Sequence, residues 1–143
     1  MSNRPWAFGF LLVLAFAVIG ELLMAFDGYV FHRTGISRNL LLTILWILPM
    51  AASFVASAYS QKHQLLAGLS FLPLFPLVGA TAHYINGQLG GTVDFTGVSG
   101  AVETFKLYLG IGSVLMIIGT ALGLALSKRH SGKDIQGQTP NSP

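Results

Sequence analysis

Through residue 127 the apolar positions neither alternate nor trace a single stripe; they run continuously, interrupted by short polar stretches. A continuous apolar run reads as a membrane helix when it reaches about 20 residues, which at about 1.5 Å per residue covers a hydrocarbon core about 30 Å thick. Four runs meet that length, at 6–26, 40–59, 65–85 and 107–126. Strands of a membrane barrel would alternate in polarity and be about half as long. The pattern therefore predicts an all-α integral membrane protein, a four-transmembrane-helix bundle over residues 1–127. A disordered cytoplasmic tail is expected at 128–143, because "KRHSGKDIQGQTPNSP" has almost nothing to bury.

The polar interruptions predict the connections. "DGYVFHRTGISRN", residues 27–39, reads as a turn-rich crossing or a short interfacial piece. "SQKHQ", residues 60–64, is so short that the second and third helices should be antiparallel neighbours. The glycine-rich stretch 86–103 is a long loop whose last part is expected to turn helical, with Ser99 or Gly100 as cap and Glu103 in the first turn.

Composition narrows the class. With 52% hydrophobic and 9% charged residues, the chain is unlike a soluble domain, in which about a quarter of residues are charged. The absence of cysteine excludes disulfides, thiolate metal ligands and cysteine nucleophiles. The net charge of +3 does not point to nucleic acid, because the basic residues stand at span ends and form no stripe. They act as a topology signal instead: Arg4, Lys62, Lys128, Arg129 and Lys133 fall on one side, Arg33, Arg38 and Lys106 on the other. That bias predicts both termini in the cytoplasm and a multi-pass protein of a bacterial inner (plasma) membrane. The first run lacks a clean small-x-small cleavage site and continues past Glu21 to Phe26, so it is expected to be retained as a span.

Inside lipid, helices associate through small residues and a few polar contacts. Gly112, Gly119, Gly123 and Ser127 supply such a stripe on the fourth helix, and Ala52, Ala56 and Ser60, flanked by Ser53 and Ser57, on the second. These stripes are seams within the bundle or a homodimer face; periodicity does not separate the two. Pro49, Pro73 and Pro76 fall within spans and should kink them, the last two freeing the carbonyls of Leu69 and Leu72.

Glu21 is the residue out of place. It lies about 7 to 8 Å below the end of its span at about 1.5 Å per residue, and a charge in that setting must pair, protonate or reach water. His83 falls at comparable depth on the third helix, on a strip with Pro76, Gly79 and Ala80, and is the expected partner. Asp27, Tyr84, Asn86, Glu103 and Lys106 should form a polar rim at the same end. Three roles compete for Glu21: a snorkelling or singly hydrogen-bonded structural residue, a titrating proton or cation site with His83, or part of a surface for another membrane protein.

No nucleophile motif or metal spacing stands beside these residues, so no enzyme and no cofactor are expected. A haem held by two histidines is not expected either, since His63 and His83 are about 30 Å apart on one helix and His32 sits in a loop. The expected function is an accessory or interaction subunit of a membrane complex, with the bilayer and another membrane protein or a second copy as partners. The alternative is a small homodimeric proton- or cation-coupled transporter or channel using Glu21.

Overall fold

An apolar run without nearby water must pair every backbone N–H and C=O internally, and the α-helix does so within one segment. This computed structural model describes residues 4–26, 32–89 and 97–136. Among them the regular elements are all helical: α1 (Arg4–Ala25), α2 (Arg38–Leu45), α3 (Ile47–Tyr59), α4 (Gln64–Leu69), α5 (Phe71–Gln88), α6 (Gly97–Leu107) and α7 (Ser113–Gln136). A π-helical turn at Tyr108–Gly112 joins the last two. Together they form four helices long and apolar enough to cross a membrane, at Arg4–Ala25, Asn39–Tyr59, Gln64–Gln88 and Gly97–Lys128.

The fourth helix is longer than its apolar core suggests. It opens at Gly97 with φ of 76°, a conformation that costs glycine little, so Ser99 and Gly100 lie inside the helix and do not cap it. At its other end α7 continues through 128–136, where the sequence suggests an unstructured tail; residues 137–143 lie outside the described ones. Extending a helix already nucleated by the span adds one bond per residue fixed, which is why it outruns its apolar stretch in both directions.

The second and third spans are each interrupted, at Trp46 and at Ser70. Each break precedes a proline, Pro49 or Pro73, whose missing N–H leaves the carbonyl four residues earlier without its helical donor. Pro76, by contrast, is carried within α5. At the second break the Ser70 hydroxyl donates to the Ala67 carbonyl at 2.8 Å and accepts from the Trp6 indole at 2.9 Å. Trp6→Phe keeps the ring stacking on Phe10 and Phe71 but loses that bond. It is expected to cost about 0.5–1.5 kcal/mol, read as a lower unfolding midpoint in detergent.

Side-chain pairs give the direction of each span. Trp6, Phe16 and Glu21 meet Ser70, Phe75 and His83 in turn, so α1 runs parallel to the third span. Gly9 lies on Ala52 while Phe16 meets Trp46, so α1 runs antiparallel to the second. Gly119 and Gly123 lie on Met50 and Phe54, which makes the second and fourth spans parallel. Gln64 bonds Ser127, and Phe75 stacks on Tyr108, which makes the third and fourth antiparallel. The result is an up-down-up-down bundle.

Sequential neighbours are not spatial neighbours throughout. α3 and α4 pack together beside their tight turn, where His63 takes φ of 56°, but beyond Ser70 the third span leaves α3 and α5 packs on α1 and α6. The closest seam is α3 against α7. There a methyl group on Gly119 would run into the Met50 carbonyl, and one on Gly123 would meet the Phe54 carbonyl at 2.6 Å. Gly112 receives the Phe75 ring. Ala52 and Ala56 are fully buried on α3, and Ser60 closes that helix through its amide on the Ala56 carbonyl at 3.3 Å. Both small-residue stripes thus serve contacts within one chain. Val13, Phe16, Ala52, Ala56, Phe71, Phe75 and Met116 form the core, while large apolar side chains such as Leu11, Ile44, Leu77 and Ile117 face outward on all four spans.

Candidate functional site

The site is assembled from one turn of α1 and one turn of α5. His83 and Asn86 are three residues apart on α5 and share a face, and that face meets Glu21. The Glu21 carboxylate lies 3.2 Å from His83 Nδ1 through Oε1, and its Oε2 accepts from Asn86 Nδ2 at 2.7 Å. Glu21 is 8% and His83 6% exposed. The glutamate is thus turned into the bundle with both oxygens engaged, the opposite of a snorkelling side chain.

The rim divides. Asn86 is drawn into the cluster as a direct partner. Glu103 and Lys106 instead pair with each other at 2.7 Å along the outside of α6, each side chain 63% exposed, a position where ion pairs contribute little. Tyr84 is exposed, and Asp27 lies outside the described residues.

Beside the carboxylate is an open cavity of about 110 Å³, with Glu21 and His83 on one wall and Leu42, Trp46, Thr104 and Tyr108 among its other lining residues. It exists because α2 stays with α1 and α3 while α6 stays with α5, so the second and fourth spans part at this end. The base of the cavity is a feature that the sequence reading missed. Phe16, Trp46, Phe75 and Tyr108, one ring from each span, pack together with centroids 5.0 to 5.8 Å apart. Two of these rings sit at irregular backbone, Trp46 at the break before α3 and Tyr108 opening the π-helical turn, while Phe75 stands beside Pro76 within α5. Tyr108 lies against Gly79, where any β-carbon would collide with its ring. The matching depths of Phe16 and Phe75 are readable from span alignment; the π-helical turn that presents Tyr108 is not.

Below this floor the section is filled by Val13, Pro49, Phe71 and Met116, all essentially inaccessible. Further along lie Ser53, Ser57 and Thr120, whose hydroxyls are buried with no hydrogen-bond partner among the described residues. Those of Ser57 and Thr120 converge on Gly68, where a side chain would strike both. An unpaired buried hydroxyl carries a desolvation cost without a compensating bond. Ser57→Ala is therefore expected to leave thermal stability unchanged or raised, within about 1 kcal/mol.

Chemically, the cluster offers a carboxylate and an imidazole in contact, able to exchange a proton or face a cation. Among the described residues no group of three or more His, Cys, Asp or Glu could hold a metal ion. Set against known proteins, the chain matches no family model, no curated protein and no solved structure.

Proposed function

We propose that the chain is a small multi-pass protein of the bacterial inner membrane with both termini cytoplasmic. It acts as a non-catalytic accessory or interaction subunit of a membrane complex, with the Glu21 cavity as a one-sided site on the outer face. The observation that carries this reading is the filled section beneath the cavity, four rings and then Val13, Pro49, Phe71 and Met116, which closes the carboxylate off from the opposite end of the bundle. A channel holds a continuous path between the two sides, and the packed layers interrupt such a path in this conformation, which supports a site served from one side. Orientation is supported by the lysine and arginine bias, and residence in lipid by four apolar spans with outward-facing apolar side chains.

The test is a native mass of the protein purified from its own membrane in mild detergent. A second protein in fixed stoichiometry is the expected result; a chain found alone or only with itself would overturn the subunit reading. One observation favours a second reading, a small homodimeric proton- or cation-coupled transporter or channel: the burial of Glu21 against His83, since buried intramembrane carboxylates mark such paths. On that reading Glu21→Gln abolishes proton-coupled flux in liposomes while the fold survives.

A further inference from the structure

We propose that the cavity beside Glu21 is a binding site for an alkylammonium head group, an inference that rests on the one-sided site argued above. Among the described residues, each carboxylate oxygen holds one side-chain partner, His83 at 3.2 Å and Asn86 at 2.7 Å. An ionised carboxylate has about four acceptor positions, so capacity remains for a further donor or a close cation. The rings of Phe16, Trp46 and Tyr108 line the same space. Aromatic walls attract an ammonium through the ring quadrupole and are the usual surroundings of methylated ammonium groups. Leu42 and Leu107 continue the wall with apolar surface suited to the alkyl substituents.

The same lining disfavours other ligands. Hard metal ions such as calcium take about six to eight oxygen ligands, whereas the side-chain oxygens here are those of Glu21, Thr104 and Tyr108. An anion would meet the carboxylate. Size sets a further limit, because a closed cavity of about 150 Å³ holds one benzene ring and this open one measures about 110 Å³. It takes a head group of a few heavy atoms whose tail leaves through the mouth. In the orientation proposed above the Glu21 end of the bundle lies toward the outer lipid head groups. The ammonium therefore comes either from an aminolipid or from a dissolved amine.

The test uses the full chain carrying Trp6→Phe, in nanodiscs of phosphatidylglycerol, which has no amine. Choline is titrated in and Trp46 emission followed. A saturable change is expected with choline and none with its uncharged carbon isostere. Glu21→Gln is expected to weaken binding at least about tenfold, the lower end of what a close charge pair contributes, the quaternary ammonium meeting the carboxylate by charge and not through an N–H. Gly20→Leu provides the second variant. A β-carbon at Gly20 meets only Leu42 Cδ2, at 4.0 Å, so leucine there is expected to extend into the cavity, and the variant's melting temperature, measured beside binding, is expected to match the parent's. It too should weaken binding at least about tenfold.

Phosphatidylethanolamine added to the discs distinguishes the sources: competition with choline points to the lipid head group, and its absence to a soluble amine. The proposal is overturned if choline does not saturate, if the uncharged isostere binds equally well, or if Gly20→Leu binds choline like its parent. None of these results depends on stoichiometry. A native mass that removes the subunit reading would leave the ammonium site standing, and a failed titration would leave the subunit reading intact.

Discussion

Placing leucine at Gly119 is expected to lower stability by about 3 kcal/mol or more, the upper end of the range for overpacking a closed interface. The reason lies in what the new side chain meets. At Gly119 the first added carbon lands on the Met50 backbone carbonyl, which cannot rotate aside as a flexible side-chain end can. α3 and α7 would have to separate along the closest seam in the bundle, and in lipid no hydrophobic driving force between helices would draw them together again. Gly110→Leu is the control: it adds the same side chain to the same span at a position with nothing within 4 Å, and should be tolerated. Thermal unfolding of both variants in one detergent checks the prediction. Equal loss in the two would mean that added bulk anywhere on this span, and not the Met50 seam, sets the cost, because helix propensity alone favours leucine over glycine at both positions.

The second large effect concerns the Glu21 cluster, and its signature is non-additivity. His83→Leu and Asn86→Leu each leave one carboxylate oxygen without its partner in a nearly inaccessible position. Each is expected to cost about 1–3 kcal/mol. The double variant strips the carboxylate of both contacts and should lose about 3–5 kcal/mol, the scale of leaving a buried carboxylate with neither hydrogen-bond partner. Adding Glu21→Leu to that double variant should then recover most of the loss, because three apolar residues leave no stranded charge. Unfolding midpoints of the single, double and triple variants provide the measurement. A triple variant no more stable than the double would show that the cluster's value lies in shape and not in electrostatic pairing.

Much of this architecture was legible because lipid-length apolar runs leave the backbone few choices. Arg4–Ala25 and Asn39–Tyr59 lie close to the expected spans, since a long apolar stretch forms a helix whatever it packs against. The Glu21 to His83 contact was also legible. Two polar residues at matching depth on apolar helices have few other partners, and the light strip through Pro76 and Gly79 marks the inward face. Asn86 was placed only at the rim, because whether its amide reaches a carboxylate depends on how α1 and α5 sit side by side.

Other features had no signal in the chain. The aromatic floor brings together rings at positions 16, 46, 75 and 108, and their convergence depends on breaks and a π-helical turn that periodicity cannot register. The short 60–64 connection does leave the second and third spans antiparallel and packed at α3 and α4, but beyond Ser70 α5 turns away from α3 to α1 and α6. A tight turn constrains helix ends only; where the rest of each helix lies is decided by which faces pack. Glycine positions were visible in the sequence, yet whether Gly119 served a partner copy or this chain's own Met50 carbonyl was not.

The sequence by itself determined the helices, their number and approximate limits, the polar end of the bundle and the residue that needs a partner there. These follow from local hydrogen bonding and from transfer energies, which each segment carries alone. Only the tertiary structure decided the order of the spans around the bundle, the one-sided cavity and the closed floor beneath Glu21. Those depend on steric fit between distant segments, where a single β-carbon at Gly79 or Gly119 would change the answer.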